Sequence, residues 1–315
     1  MTDQRRHDVA IIGGGAAGLS AAVALARSLR SVVVVDAGEP RNAPAAGAHN
    51  VLGQDGIAPL ELLAAGAREA ESYGAEIRRG YAIAARRDAD GFELDLADGT
   101  TIGARRLLLA SGLVDELPEV PGVRELWGKS VVHCPYCHGW EVRGQRIGVI
   151  GTSPMSVHQA LLFRQLSDDV TLFAHTMPPI DDETAERLAA RDIRLVVGNV
   201  DRLRADGDHL NAVVVDGRDF PVDAAAVAPR FIARSDLYEQ LGGTVTEHPM
   251  GVFIETEPMG RTPIAGVWAA GNASDLSAMV AASNGAGLGA AAAINADLVD
   301  EDAELAVRER AAIGA

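Results

Sequence analysis

The chain has 315 residues, enough for about two domains at roughly 150 residues each. With 48% hydrophobic and 23% charged residues it is not a disordered chain, and it carries ample material for a buried core. A net charge of −16 with scattered basic residues argues against nucleic acid or an anionic membrane as partner, and 4% aromatics offer no base-stacking surface. Two cysteines, Cys134 and Cys137, cannot form the framework of a small secreted fold. The polar lead Met1–His7 shows no signal peptide. The longest apolar candidate, residues 278–299, is interrupted by Ser283, Asn284, Asn295 and Asp297. A cytoplasmic protein without a membrane span is expected.

In chain order, Val9-Ala10-Ile11-Ile12 reads as a strand buried on both faces. The loop Gly13-Gly14-Gly15-Ala16-Ala17-Gly18 follows, then an Ala-rich helix over 19–29, a second strand over 32–35, and Asp36 at its end. Strand, G-x-G-x-x-G, helix, strand and acid in this order form a dinucleotide-binding pattern. Gly13 allows the tight turn, Gly15 lets backbone approach a pyrophosphate, and Gly18 permits close helix–strand packing. Ala16 and Ala17 belong to the loop before the helix whose N-terminus offers N–H groups to the phosphates, and Asp36 is suited to ribose hydroxyls. Two further strand-and-turn signals belong with this domain: residues 106–110 ending in Ser111-Gly112, and residues 266–270 ending in Gly271-Asn272. A long small-residue helix is predicted over 275–298, and the acidic stretch 300–304 reads as a solvated helix end or a frayed terminus.

Between these lies a second strand-plus-glycine start, Gly148-Val149-Ile150-Gly151, with a helix over 157–166 and a strand over 170–173. The fold class is therefore α/β, with two Rossmann-like domains, the second inserted into the first. The predicted boundaries are 1–117 and 236–315 for the first domain and 118–235 for the second. The second loop departs from a nicotinamide site. Ser153 places a Cβ where backbone should meet the pyrophosphate, and Pro154 removes an N–H from a turn that works by offering them. The next strand ends in Ala174-His175, with no acid for a ribose and no Arg cluster for a 2′-phosphate.

The reactive signal is His133-Cys134-Pro135-Tyr136-Cys137-His138-Gly139-Trp140-Glu141. Thiols two residues apart can close a disulfide and reopen it by exchange. His138 can take or return their protons near neutral pH. Each histidine is the immediate neighbour of a cysteine, poor geometry for a tetrahedral zinc site, so no metal is expected.

On these residues the chain resembles the low-molecular-weight thioredoxin reductases, which combine an interrupted FAD domain with an insert carrying a redox C-x-x-C. That family usually has Asp-Gly after the pair; here it is His138-Gly139. C-P-Y-C-H-G-W-E looks like the branch of small-molecule dithiol oxidases that close disulfides in gliotoxin-like and holomycin-like natural products. The resemblance implies FAD held by Gly13, Gly15, Gly18 and Asp36. It also implies a flavin-proximal Asn50, Gly271-Asn272 at the ribityl chain, and Met279 where many relatives carry Gln. It places Cys137 toward the flavin and Cys134 toward substrate, and the start of the helix after Asp275 toward the flavin pyrimidine. It further implies a homodimer. The expected activity is dithiol oxidation with O2 as acceptor and H2O2 as product. An NADPH-dependent thioredoxin or disulfide reductase is the alternative, and a non-catalytic flavoprotein redox sensor is a third reading.

Overall fold

The computed structural model describes residues 6–313; Met1–Arg5, most of the polar lead, lie outside the described residues. The chain divides into two compact units. One comprises the chain up to Arg41, Pro59–Val114 and the chain from Phe231 onward; the other comprises Asn42–Ala58 and Asp115–Arg230. The fold class expected from the sequence is the one found, two Rossmann-like α/β units with the second inserted in the first. Residues 42–58, which the sequence reading groups with the first domain, pack with the second unit.

The first unit is built on a seven-stranded sheet. Its central strand, His7–Ile12, pairs in parallel with Val32–Asp36 and with Thr101–Leu109. Val267–Ala269 adds a parallel strand beyond Thr101–Leu109, aligning Trp268 with Leu108. Side chains alternate across the central strand with period two. Val9 and Ile11 join Val32, Val34, Leu108 and Trp268 against the helices Ala16–Arg27 and Val280–Ile313. Ala10 and Ile12 face the other way, onto Val33, Val35, Leu107, Leu109, Phe92 and Leu94. Burial on both faces explains why the strand is apolar at every position from Val9 to Ile12.

The C-terminal helix begins and ends later than expected. Asp275 does not start it; Oδ1 of Asp275 accepts the Ser277 N–H at 2.9 Å and its hydroxyl at 2.7 Å, a local turn that competes with helix. The helix runs Val280–Ile313, so the acidic stretch 300–304 is ordered helix rather than a frayed end. The reason is charge pairing with the sheet. Arg105 bonds Asp8 at 2.9 Å and also reaches Glu301 and Asp302, while Arg30 bonds Asp302 at 2.7 Å and Arg106 bonds Asp297 at 2.6 Å.

The second unit has a five-stranded parallel sheet in the order Arg194–Val196, Val170–Phe173, Ile147–Ile150, Ala224–Val227, Val131–Val132. Helix Met155–Phe163 buries Val157, Ala160 and Phe163 against it. An antiparallel meander, Val200–Asp206, His209–Val215 and Arg218–Pro221, closes the opposite face with Leu203, Leu210, Val213 and Val215. No helix among the described residues is long and apolar enough to cross a membrane.

Candidate functional site

In the first unit the glycine loop leaves the end of the central strand, and Gly13 adopts φ +103°, which a side chain would strain. A Cβ there would also strike the Ala110 carbonyl, so the loop lies directly against the second strand-turn. At Gly18 a Cβ would overlap the Gly13 carbonyl oxygen, which ties the first helix tightly to the strand. Beside Gly15, by contrast, a Cβ would meet nothing within 4 Å. Gly15 is also the N-cap of helix Ala16–Arg27, and no side chain caps that end. Ala16 and Ala17 open the helix. An uncapped N-terminus beside open space fits a pyrophosphate held by N–H groups. Asp36 turns one carboxylate oxygen to the Gly14 N–H at 2.9 Å, and the other lies 3.3 Å from Arg79. These residues fit a dinucleotide.

The other predicted contacts are distributed around that loop or tied elsewhere. Ser111 donates its hydroxyl to the Arg234 carbonyl at 2.7 Å, and Gly112 turns at φ +73°. Gly271 turns at φ +68°. The Asn272 side chain is engaged within its own unit: its amide donates to Asp275 and Ala278 carbonyls at 2.9 and 3.0 Å, and its oxygen lies 3.3 Å from Arg41. Met279 is 40% exposed and immediately precedes the helix start at Val280.

In the second unit Cys134 caps the one-turn helix Pro135–His138, with Pro135 at its first position, where the missing N–H is harmless. Its sulfur accepts the Cys137 N–H at 3.2 Å, a contact that suits an anionic sulfur. The two sulfurs lie 2.6 Å apart, so the helix turn has brought both thiols within reach of one bond. His133, just before the pair, is anchored twice. Its carbonyl accepts from Gln159 at 2.7 Å, and its Nδ1 lies 3.1 Å from the Val227 carbonyl. A carbonyl only accepts, so Nδ1 carries a hydrogen.

His138 is half-buried, and its Nε2 is fully enclosed with no hydrogen-bond partner among the described residues. Burial holds its imidazole below the usual histidine range; Glu141 opposes that shift, and His49 adds to it. Residues 42–58 supply the rest of this environment. His49 faces Glu141 at 3.4 Å through Nε2 and Asp55 at 3.3 Å through Nδ1. Asn50, in the left-handed region at φ +59°, donates its amide to the Tyr136 carbonyl at 2.8 Å, between the two cysteines in sequence. The sequence joins these groups only through a pattern that runs within residues 133–141. Asn50 enters the sequence reading only through the family resemblance, and the contribution of His49 and Asp55, more than 80 residues upstream of Cys137, leaves no local signature.

The second glycine loop is closed upon itself. Counted from Gly151, the G-x-G-x-x-G/A positions hold Gly151, Ser153 and Ser156. The Ser156 hydroxyl is wholly buried and accepts the N–H groups of Thr152 at 3.1 Å and Ser153 at 3.4 Å. Thr152 in turn donates its hydroxyl to the Ala228 carbonyl at 3.0 Å. At the next strand end His175 takes φ +45° and accepts the Val200 N–H at 3.1 Å.

Comparison with known proteins agrees with this architecture. Residues 7–290 match the pyridine nucleotide-disulphide oxidoreductase family. A protein named thioredoxin reductase tcpT, from Claviceps purpurea (strain 20.1), is 36% identical across 86% of this chain and 88% of its own length. One named thioredoxin reductase sirT, from Leptosphaeria maculans, is 30% identical across 84% and 86%. Among solved structures, that of HlmI superposes with a TM-score of 0.93 at 44% identity, covering 100% of this chain and 99% of HlmI. An oxidoreductase from Agrobacterium tumefaciens gives 0.89 at 38% identity, covering 94% and 99%. With two Rossmann-like units and a C-x-x-C in the insert, the chain belongs to the pyridine nucleotide-disulphide oxidoreductase family, in its thioredoxin-reductase-like branch.

Proposed function

We propose that the protein is an FAD-dependent dithiol oxidase that closes a disulfide in a small-molecule dithiol of natural-product type. The carrying observation is the contrast between its two glycine loops: one is open at an uncapped helix N-terminus, and the other is filled by Ser156. That contrast supports electron entry at the thiols rather than from a pyridine nucleotide. A substrate thiolate attacks Cys134 of the oxidised pair, and Cys137 leaves as thiolate. The second substrate thiolate then displaces Cys134, closing the substrate disulfide and leaving both enzyme sulfurs reduced. His138 takes and returns the protons. FAD, when bound, supplies two-electron oxidation of the reduced pair and transfer of those electrons to O2, so that dithiol and O2 become disulfide and H2O2. The protein acts in the cytoplasm as a homodimer.

An anaerobic titration of the purified flavoprotein decides between this and an NADPH-dependent disulfide reductase. Loss of the visible flavin absorbance with dithiothreitol, and not with NADPH, is expected. Rapid loss with NADPH overturns the reading. A Cys134→Ser enzyme that still oxidises dithiols at the wild-type rate overturns the exchange scheme.

A further inference from the structure

The peptide group between Tyr136 and Cys137 is hydrogen-bonded at both ends. Its N–H donates to the Cys134 sulfur at 3.2 Å, and its carbonyl accepts the Asn50 side-chain amide at 2.8 Å. A carbonyl brings no hydrogen, so the amide nitrogen of Asn50, and not its oxygen, faces it. The helix Pro135–His138 is a single turn, in which the His138 and Gly139 N–H groups return to the Cys134 and Pro135 carbonyls at 3.1 and 2.9 Å. The carbonyls that follow in a last turn depend on donors from outside the helix. For Tyr136 that donor is Asn50, brought from 86 residues upstream. Asn50 is itself held. Its backbone lies in the left-handed region at φ +59°, its N–H donates to the Asp55 carboxylate at 3.2 Å, and Asp55 faces Nδ1 of His49 at 3.3 Å. All of these residues belong to the same compact unit.

Hydrogen bonds in a chain polarise one another, so a peptide that accepts at its carbonyl donates more strongly at its N–H. The Cys137 N–H has two acceptors to serve, the Cys134 sulfur and the Cys134 carbonyl, each at 3.2 Å. Fixing the far end of the peptide plane keeps the N–H on the sulfur. We propose that Asn50 is a positioning residue of the dithiol, which acts through the Tyr136–Cys137 peptide to stabilise Cys134 as a thiolate. This task is separate from the flavin-side contact that the family resemblance implies for Asn50. The inference deepens, and rests on, the reading of Cys134 as the sulfur that exchanges with substrate. In the closing step the second substrate thiolate attacks the substrate sulfur of the mixed disulfide. The substrate S–S bond forms, the bond to Cys134 breaks, and its electron pair leaves on the Cys134 sulfur. A sulfur of lower pKa leaves faster, and the Cys137 N–H receives the charge as it develops.

The test uses the full-length flavoprotein in a Cys137→Ser background, where Cys134 is the one thiol in the chain and the backbone N–H at position 137 is kept. The rate of alkylation by iodoacetamide, followed against pH, reads the Cys134 titration. Its titratable neighbours in the turn, His133 and His138, are the same in every protein compared. Asn50→Gly removes the amide and keeps a backbone free to adopt positive φ. It is expected to raise the Cys134 titration by about half a pH unit, which slows alkylation about threefold below that pH. Asn50→Asp keeps the size of the side chain but turns a donor into an acceptor, and is expected to raise it by about one unit. His49→Gln unties the same segment from Glu141 with Asn50 in place, and is expected to leave the Cys134 titration where it is. An unmoved titration in Asn50→Gly overturns the inference. So does a rise in His49→Gln as large as that in Asn50→Gly, since loosening of the segment would then account for both. A wild-type protein that oxidises no dithiol overturns the functional reading instead, while the alkylation profile still decides the role of Asn50.

Discussion

The hydroxyl of Ser156 accepts the backbone N–H of Thr152 at 3.1 Å, so a side chain of the protein takes up an N–H of the second glycine loop. Ser153 gives a second N–H to the same hydroxyl at 3.4 Å. The Ser156→Ala enzyme is expected to lose about 1–2 kcal/mol of stability, because these N–H groups lose their acceptor inside the fold. Urea unfolding followed by circular dichroism measures this. NADPH should still fail to reduce its flavin, since Ser153 and Pro154 remain; rapid reduction would show that Ser156 alone had been closing the loop.

Gly18 lies where a Cβ would overlap the Gly13 carbonyl oxygen. Gly18→Ala therefore has to push the first helix away from the strand or distort the Gly13 turn, at a cost of about 1–3 kcal/mol. The cradle at the helix N-terminus depends on that approach. Flavin affinity is expected to fall at least about tenfold, since 1.4 kcal/mol corresponds to that factor. The ratio of bound flavin to protein after extensive dialysis reads it, and a fully yellow Gly18→Ala protein would show that the cofactor does not rest on this loop.

His138 and His175 are both held below the usual histidine range, chiefly by burial. Between the ordinary value near 6.5 and their lowered values, the unfolded chain binds protons that the folded chain does not. The stability contributed by these rings is thus complete above about pH 6.5 and declines as pH falls toward the lowered values. Denaturant midpoints measured on both sides of that window should fall on the acid side, and less so in the His138→Gln, His175→Gln double variant. The same shift keeps His138 neutral, and able to act as base, at lower pH than an exposed histidine. The acid limb of dithiol oxidation should lie correspondingly low and vanish in His138→Gln. A limb that instead vanishes in His133→Gln would move the role of base to His133.

Arg105 anchors the C-terminal helix. Burial disfavours its charge, but Asp302, Glu301 and Asp8 outweigh that and hold the guanidinium more firmly protonated than usual. Removing it in Arg105→Ala leaves three carboxylates together. A loss of about 2 kcal/mol is expected, discounted from fully buried pairs because the site is partly exposed. The last turns of the helix should exchange their amide hydrogens faster, with little change around the dithiol pair. Unchanged exchange in the last turns would show that these ion pairs do not hold the helix down.

How far the sequence could be read depended on whether contacts were local. The strand around Ala10, the loop from Gly13 to Gly18 and the acid at Asp36 fall in one stretch, and the physical demands on each residue show in its identity. The Cys134–Cys137 pair is legible for the same reason, since one turn of helix places both sulfurs together. The start of the last helix was less legible: Asp275 satisfies nearby donors in a turn, and that option competes with helix at the same residues. Residues 300–304 read equally as a solvated helix end or a frayed terminus, because the arginines that hold them as helix are almost 200 residues or more away along the chain.

The sequence by itself determined the α/β class, the dinucleotide pattern, the dithiol and the departure of the second loop at Ser153 and Pro154. Only the tertiary structure decided that Ser156 fills that second loop, that His138 has an enclosed nitrogen, and that His49, Asn50 and Asp55 join the dithiol unit. A side chain's identity and its near neighbours are written in order along the chain. Burial, the orientation of a ring and the charges facing it arise only when remote segments pack together, and those set where a proton can go.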